Sequence, residues 1–511
     1  MALDDLKADY EARKAKALGM GGPEKLAKRK AEGNLNARER LDVLLDAGSF
    51  LESGLFAQGV RPEVRDRTPA DGKVAGFGRI EGRPVGIVSN DFTVLGASSS
   101  AINGKKIRHV KDTATKNGLP LVFLGESSGA RMPDRMGSAG RAMLAQDPCE
   151  YRRLRETPWV SALLGPCYGS STWYTALSDF VVMRKGALMS VASPRVTSLA
   201  ISQPVDAEAL GGWKLHSEVT GLVDAVVETD AAALQLVKRF LSYLPSHWRE
   251  PPPLAEVPPD AGAAARGILD LLPETRTQVY DVRKVLAALA DPDSVLELKP
   301  RFGRSMVTAL ARVGGRSIGV IANNPLFKGG AIDVDACRKA TNMLVLCDSF
   351  HIPILFLVDQ PGFLIGMEGE RRWAPGRIMN WMSALQQVTV PKLSLVLRKS
   401  YGQAYLNMGG GRNSHEVACW PSADFGFMDP GTGVNVVHGV TREADPERFA
   451  RLAEELSRDT TAWGLAGLYE VQSVLDPRDT RDWLLATLAV HRRGPSKGLG
   501  ERALANWPTS F

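Results

Sequence analysis

The feature of this 511-residue sequence that most constrains its fold is an internal repeat. Residues 82–88 (Gly-Arg-Pro-Val-Gly-Ile-Val) recur as Gly-Arg-Ser-Ile-Gly-Val-Ile at 315–321, an offset of 315 − 82 = 233. A gapless register over this length predicts a tandem duplication of one domain. A chain this long also exceeds the size of a single hydrophobic core. The same offset relates Asn90 to Asn323, Gly96 to Gly329, Lys106 to Lys339, Gly129 to Gly362, Pro158 to Pro391 and Tyr168 to Tyr401.

Each copy alternates short apolar runs with segments of helical spacing. The runs at 85–88 and 121–124 are continuous, as expected of strands that are covered on both faces. Between them, 98–117 has apolar residues at helical spacing and ends at Asn117-Gly118, a helix stop signal. The second copy repeats this pattern through 333–350. We therefore expect an α/β fold with crossover connections and functional loops at one end of the strands.

A proline-rich segment separates the two copies. Residues 251–259 read Pro-Pro-Pro-Leu-Ala-Glu-Val-Pro-Pro, a composition typical of a spacer. We accordingly expect an N-terminal domain over 1–250 and a C-terminal domain over 262–511. The charged segment 4–32 predicts a helical lead-in, and 445–465 predicts a surface helix.

Composition excludes several classes of function. Apolar residues make up 44% and charged residues 23%, as in an ordinary soluble globular protein. The sequence has no run of 18 apolar residues, so no membrane span is predicted. Its charged start lacks an apolar signal core, which favours a cytoplasmic location. The net charge is +6, but the densest basic run, 25–30, is flanked by acids and has no interleaved aromatics. A solvated helix face is therefore favoured over a nucleic-acid patch.

The cysteines and histidines do not predict a metal site. None of the five cysteines forms a Cys-x-x-Cys pair, and the seven histidines include no His-x-x-x-His. Small buried thiols in a reduced compartment are the expected role. The cysteines are Cys149, Cys167, Cys337, Cys347 and Cys419.

Two loops of small residues are candidates for chemistry. An apolar strand at 160–164 leads into 165–171, and the equivalent strand at 393–397 leads into 398–405. A helix start there would present N–H groups that have no intrahelical partner. Two such groups aimed at one point stabilise an oxyanion by roughly 3–4 kcal/mol per donor. A purely structural turn is the alternative, and recurrence of the loop in both copies leaves both interpretations open.

Other catalytic motifs are missing from the sequence. It has no Gly-x-Ser-x-Gly elbow, no Walker lysine and no Gly-x-Gly-x-x-Gly after a strand. Residues 409–412 (Gly-Gly-Gly-Arg) have the composition of a phosphate-binding loop, but the first copy has no counterpart, so a flexible insertion is favoured.

Longer motifs carry a family resemblance. In the second half these are Gly-Gly-Ala-Ile-Asp-Val-Asp at 329–335, Cys-Asp-Ser-Phe-His-Ile-Pro at 347–353 and Leu-Val-Asp-Gln-Pro-Gly-Phe-Leu at 357–364. The combination resembles the carboxyltransferase (β) subunits of biotin-dependent acyl-CoA carboxylases, the propionyl-CoA carboxylase β-like and methylmalonyl-CoA decarboxylase α-like family. The likeness covers almost the whole chain. Matching segments of the first half and the C-terminus are 37–41, 44–50, 90–94, 127–131, 165–167, 208–212 and 475–481.

The resemblance implies a fold and an assembly. The fold would be a tandem duplication of the crotonase-like (ClpP/crotonase) β-β-α superhelix domain. The active site would form between the N-domain of one subunit and the C-domain of another. The implied assembly is a homo-oligomer, expected to be a hexamer. Neither nucleic acid nor a membrane span is implied.

The resemblance also implies a reaction. Carbon dioxide would move from carboxybiotin to the α carbon of an acyl-CoA through enolate intermediates, one oxyanion hole serving each partner. This chain has no Met-Lys-Met biotinylation site and no ATP-grasp glycine loop. Biotin would therefore arrive on another chain, with a biotin carboxylase and a biotin carboxyl carrier subunit as partners, and no metal would be bound here.

The family's functional residues transfer to matching positions. The acyl-CoA oxyanion hole falls on Gly169 and Ser170, and the biotin hole on Gln403 and Ala404. Arg131 alternatively reads as a buried, salt-bridged arginine. The remaining candidates on the acyl-CoA side are Ser127, Ser128, Gly129, Ala130, Arg131, Tyr168, Trp173 and Leu406, and those on the biotin side are Tyr401, Gly402, Gly362 and Phe363.

The chain departs from the family pattern at these positions. The family usually has Gly-Gly at 169–170 and Gly-Ala at 403–404, so Ser170 and Gln403 add side-chain volume while every backbone N–H survives. Leu406 stands where the family tunes acyl preference, often with Asp or Ile. These departures leave the identity of the acyl group undecided. Decarboxylation of a malonyl-type acyl-CoA, with or without biotin, is the alternative reaction. A third alternative is a non-catalytic, CoA-binding scaffold subunit.

Overall fold

A computed structural model describes residues 3–132, 134–142, 150–275, 278–491 and 498–508. The chain divides into two compact units, the first ending at Trp248 and the second beginning at Arg249. The proline-rich segment belongs to the second unit, where the Ala255 N–H donates to the Gly315 carbonyl over 2.9 Å. Of the cysteines, Cys149 lies outside the described residues, and the other four are buried free thiols.

The first unit contains the N-terminal helices and one eight-stranded sheet. Its helices are α1 (Leu3–Leu18), α2 (Pro23–Ala31), α3 (Ala37–Leu44), α4 (Pro62–Arg65), α5 (Ala101–Lys116), α6 (Gly137–Ala142), α7 (Ser170–Ala176), α8 (Pro194–Ile201), α9 (Ala207–Gly211) and α10 (Asp230–Tyr243). Its strands are β1 (Leu51–Glu52), β2 (Lys73–Ile80), β3 (Arg83–Asn90), β4 (Leu121–Ser127), β5 (Trp159–Tyr168), β6 (Phe180–Arg184), β7 (Leu188–Ser190) and β8 (Ala225–Val227).

The second unit contains another eight-stranded sheet. Its helices are α11 (Val282–Leu289), α12 (Val334–Ser349), α13 (Met367–Arg371), α14 (Ala374–Gln387), α15 (Ala404–Asn407), α16 (Pro430–His438), α17 (Pro446–Ser457), α18 (Ala462–Gly467) and α19 (Thr480–Val490). Its strands are β9 (Leu296–Leu298), β10 (Met306–Val313), β11 (Arg316–Asn323), β12 (Ile354–Gln360), β13 (Lys392–Tyr401), β14 (Glu416–Cys419), β15 (Asp424–Gly426) and β16 (Ser473–Val474).

The two sheets have the same topology. In the first, the order is β1-β2-β3-β4-β5-β6-β8, with β7 pairing with β5; in the second, it is β9-β10-β11-β12-β13-β14-β16, with β15 pairing with β13. The first two pairings of each sheet are antiparallel, and the others are parallel. The predicted α/β duplication is therefore confirmed, down to register: Gly86 pairs with Leu121 as Gly319 pairs with Ile354.

The crossover helices lie where the spacing predicts them. Ser100 caps α5 and Asp333 caps α12, in each case by accepting a hydrogen bond from a backbone N–H of the first turn. Two predicted helices are divided instead. The lead-in over 4–32 breaks between α1 and α2 at the glycine-rich 19–22, and the helix predicted over 445–465 is split into α17 and α18.

The structure extends the repeat beyond what the constant offset shows. Asn36 caps α3 as Asp281 caps α11, which gives an offset of 281 − 36 = 245. At that offset the bidentate pair of Arg38 with Glu52 becomes the bidentate pair of Arg283 with Glu297. The first unit therefore carries 245 − 233 = 12 additional residues between β1 and β2.

A buried lysine fastens the antiparallel part of each sheet to its crossover helix. Lys106 Nζ donates to the carbonyls of Gly54, Ala70 and Lys73, and burial lowers its pKa to about 8. In the second unit, Lys339 Nζ donates to the carbonyls of Lys299, Phe302 and Met306 at 2.8–3.0 Å. Each ammonium thus has three carbonyl acceptors, the number of donors that it carries.

We expect Lys339→Met to lower the free energy of unfolding by about 3 kcal/mol or more, because three buried carbonyls lose a charged donor. A urea titration measures the change. Lys284→Met, at an exposed position of α11, is the matched control and should stay within about 0.5 kcal/mol of the wild type. Equal stability of Lys339→Met and the control would contradict the role given to Lys339.

Candidate functional site

The site predicted in each unit is a glycine turn between a long strand and a helix. In the first unit β5 runs to Tyr168, Gly169 turns with a φ of 67°, and α7 begins at Ser170. In the second unit β13 runs to Tyr401, and Gly402 turns with a φ of 61°. Both values lie in the left-handed region that glycine adopts without strain.

The loops are shorter than the sequence predicts. Residues 165–168 continue β5 instead of forming a loop, because β7 pairs with this end of the strand: Pro166 aligns with Leu188 and Tyr168 with Ser190. In the second unit β15 pairs with residues 399–401 of β13 in the same way. Pairing with β7 in the first unit and with β15 in the second keeps the end of each long strand in extended conformation up to its glycine.

The backbone donors at the turn follow from its hydrogen bonds. The N–H of Gly169 donates to the Val191 carbonyl over 3.2 Å, and the N–H of Gly402 donates to the Gly426 carbonyl over 2.9 Å. The predicted donor Gly169 is therefore already engaged within the first unit. The oxyanion role of the pair Gly169–Ser170 stays a prediction.

The two N–H groups after each glycine are open. Those of Ser170, Ser171, Gln403 and Ala404 have no hydrogen-bond partner within the described part of the chain. Ser170 and Gln403 are equivalent at the offset of 233, as are Ser171 and Ala404. Ser170 and Ser171 are half-buried and Gln403 is exposed, whereas Ala404 is buried. The N–H groups without a partner thus lie one residue after the predicted pair in the first unit and at the predicted residues in the second.

A second glycine-containing segment lies beside each turn, and we call it the rim; in the first unit it is residues 127–131. In the first unit the Ser99 N–H donates to the Gly129 carbonyl over 2.8 Å, and the Arg131 N–H donates to the Ser99 carbonyl over 2.9 Å. A β carbon placed on Gly169 would lie 3.7 Å from Gly129 Cα. The segment 127–131 therefore lies directly against the turn, and its expected place on the acyl-CoA side stays a prediction.

The rim of the second unit is built in the same way. The Ile332 N–H donates to the Gly362 carbonyl over 3.1 Å, and the Leu364 N–H donates to the Ile332 carbonyl over 2.8 Å. Gly362 and Phe363 are half-buried, and a β carbon on Gly362 would meet no atom within 4 Å. Open space thus adjoins the predicted biotin-side residues of this unit.

The residues of 127–131 have different roles. Ser127 is buried, and its Oγ accepts from the Gly129 N–H over 3.1 Å, so it stabilises the turn. Ser128 and Ala130 are exposed on the rim. Arg131 is 3% exposed, and its guanidinium pairs with Asp71 over 2.5 Å, which is the salt-bridged alternative of the sequence analysis. Its side chain is therefore committed to the interior.

Aromatic and apolar side chains surround the turns. Trp173 is exposed on α7, three residues after Ser170, and the half-buried Leu406 is its equivalent three residues after Gln403. Tyr168 is buried, which raises the pKa of its hydroxyl. The Tyr401 hydroxyl donates to Asp424 over 2.8 Å, so its ring anchors the second turn to β15.

Sequence reasoning missed an acidic anchor behind each rim. Glu126, at the end of β4, accepts hydrogen bonds from Arg29 and Arg40. Its equivalent Asp359 accepts from Arg398 Nε over 2.8 Å. The available signal was an acidic residue inside an apolar strand run at the same place in both copies.

The Gly409–Gly410 turn is packed, which corrects the prediction of a flexible insertion. Both glycines are buried. A β carbon on Gly409 would lie 2.4 Å from Ser414 Oγ, and one on Gly410 would lie 2.2 Å from the Tyr405 ring. The glycines are therefore required by close packing behind α15.

The described residues contain no group of three or more His, Cys, Asp or Glu side chains that is arranged to hold a metal ion. In the same residues, no helix combines the length and the apolar character that a membrane crossing requires. The unpartnered backbone N–H groups at the two turns are of the kind that stabilises negative charge on oxygen.

Comparison with known proteins decides the family. The family model described as the carboxyl transferase domain matches residues 28–495. The chain belongs to the carboxyl transferase family. The resemblance of the sequence analysis, and with it the assignment of an enzyme that transfers carboxyl groups, is confirmed.

Relatives of the family align over nearly the whole chain. The propionyl-CoA carboxylase beta chain of Roseobacter denitrificans is 34% identical over 486 residues, which cover 94% of this chain and 95% of that protein. The methylmalonyl-CoA decarboxylase subunit alpha of Veillonella parvula is 31% identical over 494 residues, which cover 94% of this chain and 96% of that protein. A crystal structure of the transcarboxylase 12S hexamer with methylmalonyl-coenzyme A bound superposes with a TM-score of 0.89 at 33% identity, covering 97% of both chains. The duplicated crotonase-like fold is thereby confirmed.

We expect Arg131→Met to lower the free energy of unfolding by about 3–5 kcal/mol, because it leaves the buried carboxylate of Asp71 without its counter-ion. Chemical denaturation measures the loss. Adding Asp71→Asn to Arg131→Met should restore part of it, since the unpaired charge is then removed. Additive losses in the double variant would contradict the assigned ion pair.

Proposed function

We propose that this chain is the carboxyltransferase component that moves a carboxyl group between biotin and the α carbon of an acyl-CoA. One observation carries the proposal: at equivalent turns, both units hold two consecutive backbone N–H groups that have no partner among the residues that the structure describes. The enolate form of a thioester and the deprotonated ureido group of biotin both place charge on an oxygen. One oxyanion hole for each partner meets that need.

The first unit takes the acyl-CoA side. The N–H groups of Ser170 and Ser171 hold the thioester oxygen as negative charge develops on it. The rim residues Ser128 and Ala130 are exposed beside this oxygen, so they border the entering ester. Trp173 and the backbone of Tyr168 limit the space for the acyl group.

The second unit takes the biotin side, and its residues suit the group. The exposed Gln403 offers a free N–H, and Gly362 adjoins open space, which admits a ureido ring close to the backbone. Biotin, brought by another chain, carries the carboxyl group. The N–H groups of Gln403 and Ala404 would hold the ureido oxygen, and these donors would stabilise negative charge on it. Phe363 and Gly402 border the ring.

Other chains complete the reaction. In this proposal a biotin carboxylase and a biotin carboxyl carrier subunit supply the loaded cofactor, as the relationship to the carboxylase beta chains implies. A homo-oligomer, resembling a hexamer, brings the first unit of one subunit to the second unit of another. The hexamer described for transcarboxylase 12S supports this assembly. A cytoplasmic location is part of the same proposal.

Decarboxylation of a malonyl-type acyl-CoA is the second candidate. The similarity to a methylmalonyl-CoA decarboxylase subunit favours it. The enolate is common to both reactions, so the same backbone donors serve either one. The two reactions differ in the fate of the carboxyl group, so the first candidate requires an acceptor and the second releases carbon dioxide.

The deciding experiment follows carboxyl-labelled methylmalonyl-CoA with the purified chain. Transfer of label to free biotin, or to a biotinylated carrier domain, is the result that the proposal predicts. Release of labelled carbon dioxide at the same rate without biotin would establish the decarboxylase instead. A panel of acyl-CoA acceptors, run in the carboxylating direction, then assigns the acyl group.

Gln403→Pro should lower kcat for carboxyl transfer about 100-fold, because it deletes one oxyanion donor. The φ of Gln403 is −59°, which proline adopts without strain. Gln403→Gly keeps the N–H and restores the usual residue of the family, so we expect its kcat to stay within about threefold of the wild type. Equal rates for the proline and glycine variants would remove Gln403 from the hole.

A further inference from the structure

A hydroxyl pair stands at the acyl-CoA turn of the first unit and has no equivalent in the second. Ser170 Oγ lies 3.0 Å from Ser99 Oγ. At the offset of 233 these positions become Gln403 and Ile332, which cannot form such a pair. The resemblance also places glycine, which has no side chain, at position 170. The pair is therefore a particular feature of this chain's first unit.

Counting donors and acceptors shows what the pair lacks. Two hydroxyls carry two protons, and their mutual hydrogen bond uses one. Neither Oγ has another hydrogen-bond partner within the described residues. One O–H therefore remains without an acceptor, beside the two open N–H groups of Ser170 and Ser171. This end of α7 thus offers three donors to a ligand.

A cation lies on the same rim. Arg135 Nη2 donates to the Ser100 carbonyl over 2.9 Å, and Arg135 Nε donates to the Ser99 carbonyl over 3.4 Å. Its Nη1 is buried and has no hydrogen-bond partner among the described residues. A guanidinium so close to Ser99 favours negative charge at the hydroxyl pair.

We infer that the Ser170 hydroxyl, oriented by Ser99, binds the carboxylate of a carboxylated, malonyl-type acyl-CoA. The inference rests on the proposed function, in which the open N–H groups hold the thioester oxygen. A malonyl-type ester presents a carboxylate on the carbon next to that thioester. Its carboxylate therefore accepts the leftover hydroxyl proton, while its thioester oxygen accepts from the N–H groups. The uncarboxylated ester has the thioester oxygen but no carboxylate.

In this arrangement Ser170 contacts the substrate, and Ser99 is a positioning residue. Ser99 acts through its hydroxyl alone, since its backbone bonds to Gly129 and Arg131 survive replacement by alanine. The pair thus makes this turn selective between the two esters that the reaction interconverts, and it favours the carboxylated one.

The test measures the binding of two ligands that differ only by a carboxylate. Dissociation constants of methylmalonyl-CoA and propionyl-CoA are measured by titration calorimetry on the full-length chain. We expect Ser170→Gly to weaken binding of methylmalonyl-CoA about tenfold and to leave that of propionyl-CoA within about twofold. Ser99→Ala should shift the same ratio in the same direction, and Ser99→Thr, which keeps the hydroxyl, should restore it.

Ser178→Ala is the matched control. Ser178 forms a similar hydroxyl pair with Ser161 over 2.7 Å, at the far end of α7, so its removal should leave both affinities unchanged. Equal weakening of both esters by Ser170→Gly would place the hydroxyl on the thioester or on coenzyme A, and it would overturn the inference. An unchanged ratio would overturn it too. If the wild type binds neither ester, the proposed function fails; if it binds both without the predicted selectivity, only the hydroxyl pair's role fails.

Discussion

In each unit the proposed site depends on one main-chain hydrogen bond, which joins the turn glycine to a carbonyl at the end of the neighbouring short strand. In the first unit Gly169 donates to Val191, directly after β7, and the N–H groups of Ser170 and Ser171 have no hydrogen-bond partner among the described residues. Gly402 and Gly426 repeat the arrangement. Without β7 and β15, residues 165–168 and 399–401 would have no neighbouring strand at that edge, and the donors after each glycine would lose their fixed direction.

The duplication explains why the chemistry needs so few side chains. A copied turn gives two equivalent sets of backbone donors, and the proposed function uses one set for each oxygen that becomes charged when a carboxyl group moves between two enolate-like partners. Divergence then acts on the side chains around a preserved backbone. Ser170 and Gln403 occupy one equivalent position, and Trp173 and Leu406 another, so each unit suits a different ligand while keeping the same donors.

Much of the fold was predictable from the sequence, because a constant offset and apolar periodicity are visible in one chain. The strands, the crossover helices and the position of both turns follow from them. The 12 additional residues between β1 and β2 break that register, so the match of Asn36 to Asp281 emerged only from their shared capping role. The engaged N–H of Gly169 depends on Val191, whose position no local pattern encodes. Likewise, the burial of Arg131 depends on Asp71, 60 residues away in sequence.

A crystal structure with an acyl-CoA bound would test whether the backbone after the first glycine turn holds the thioester oxygen. The distances from the thioester oxygen to the nitrogens of Ser170 and Ser171 are the quantities to measure. We expect both distances to be about 2.7–3.2 Å, with the Gly169 N–H still bonded to Val191. A thioester oxygen that contacts neither nitrogen, or that takes the Gly169 N–H in place of Val191, would contradict this expectation.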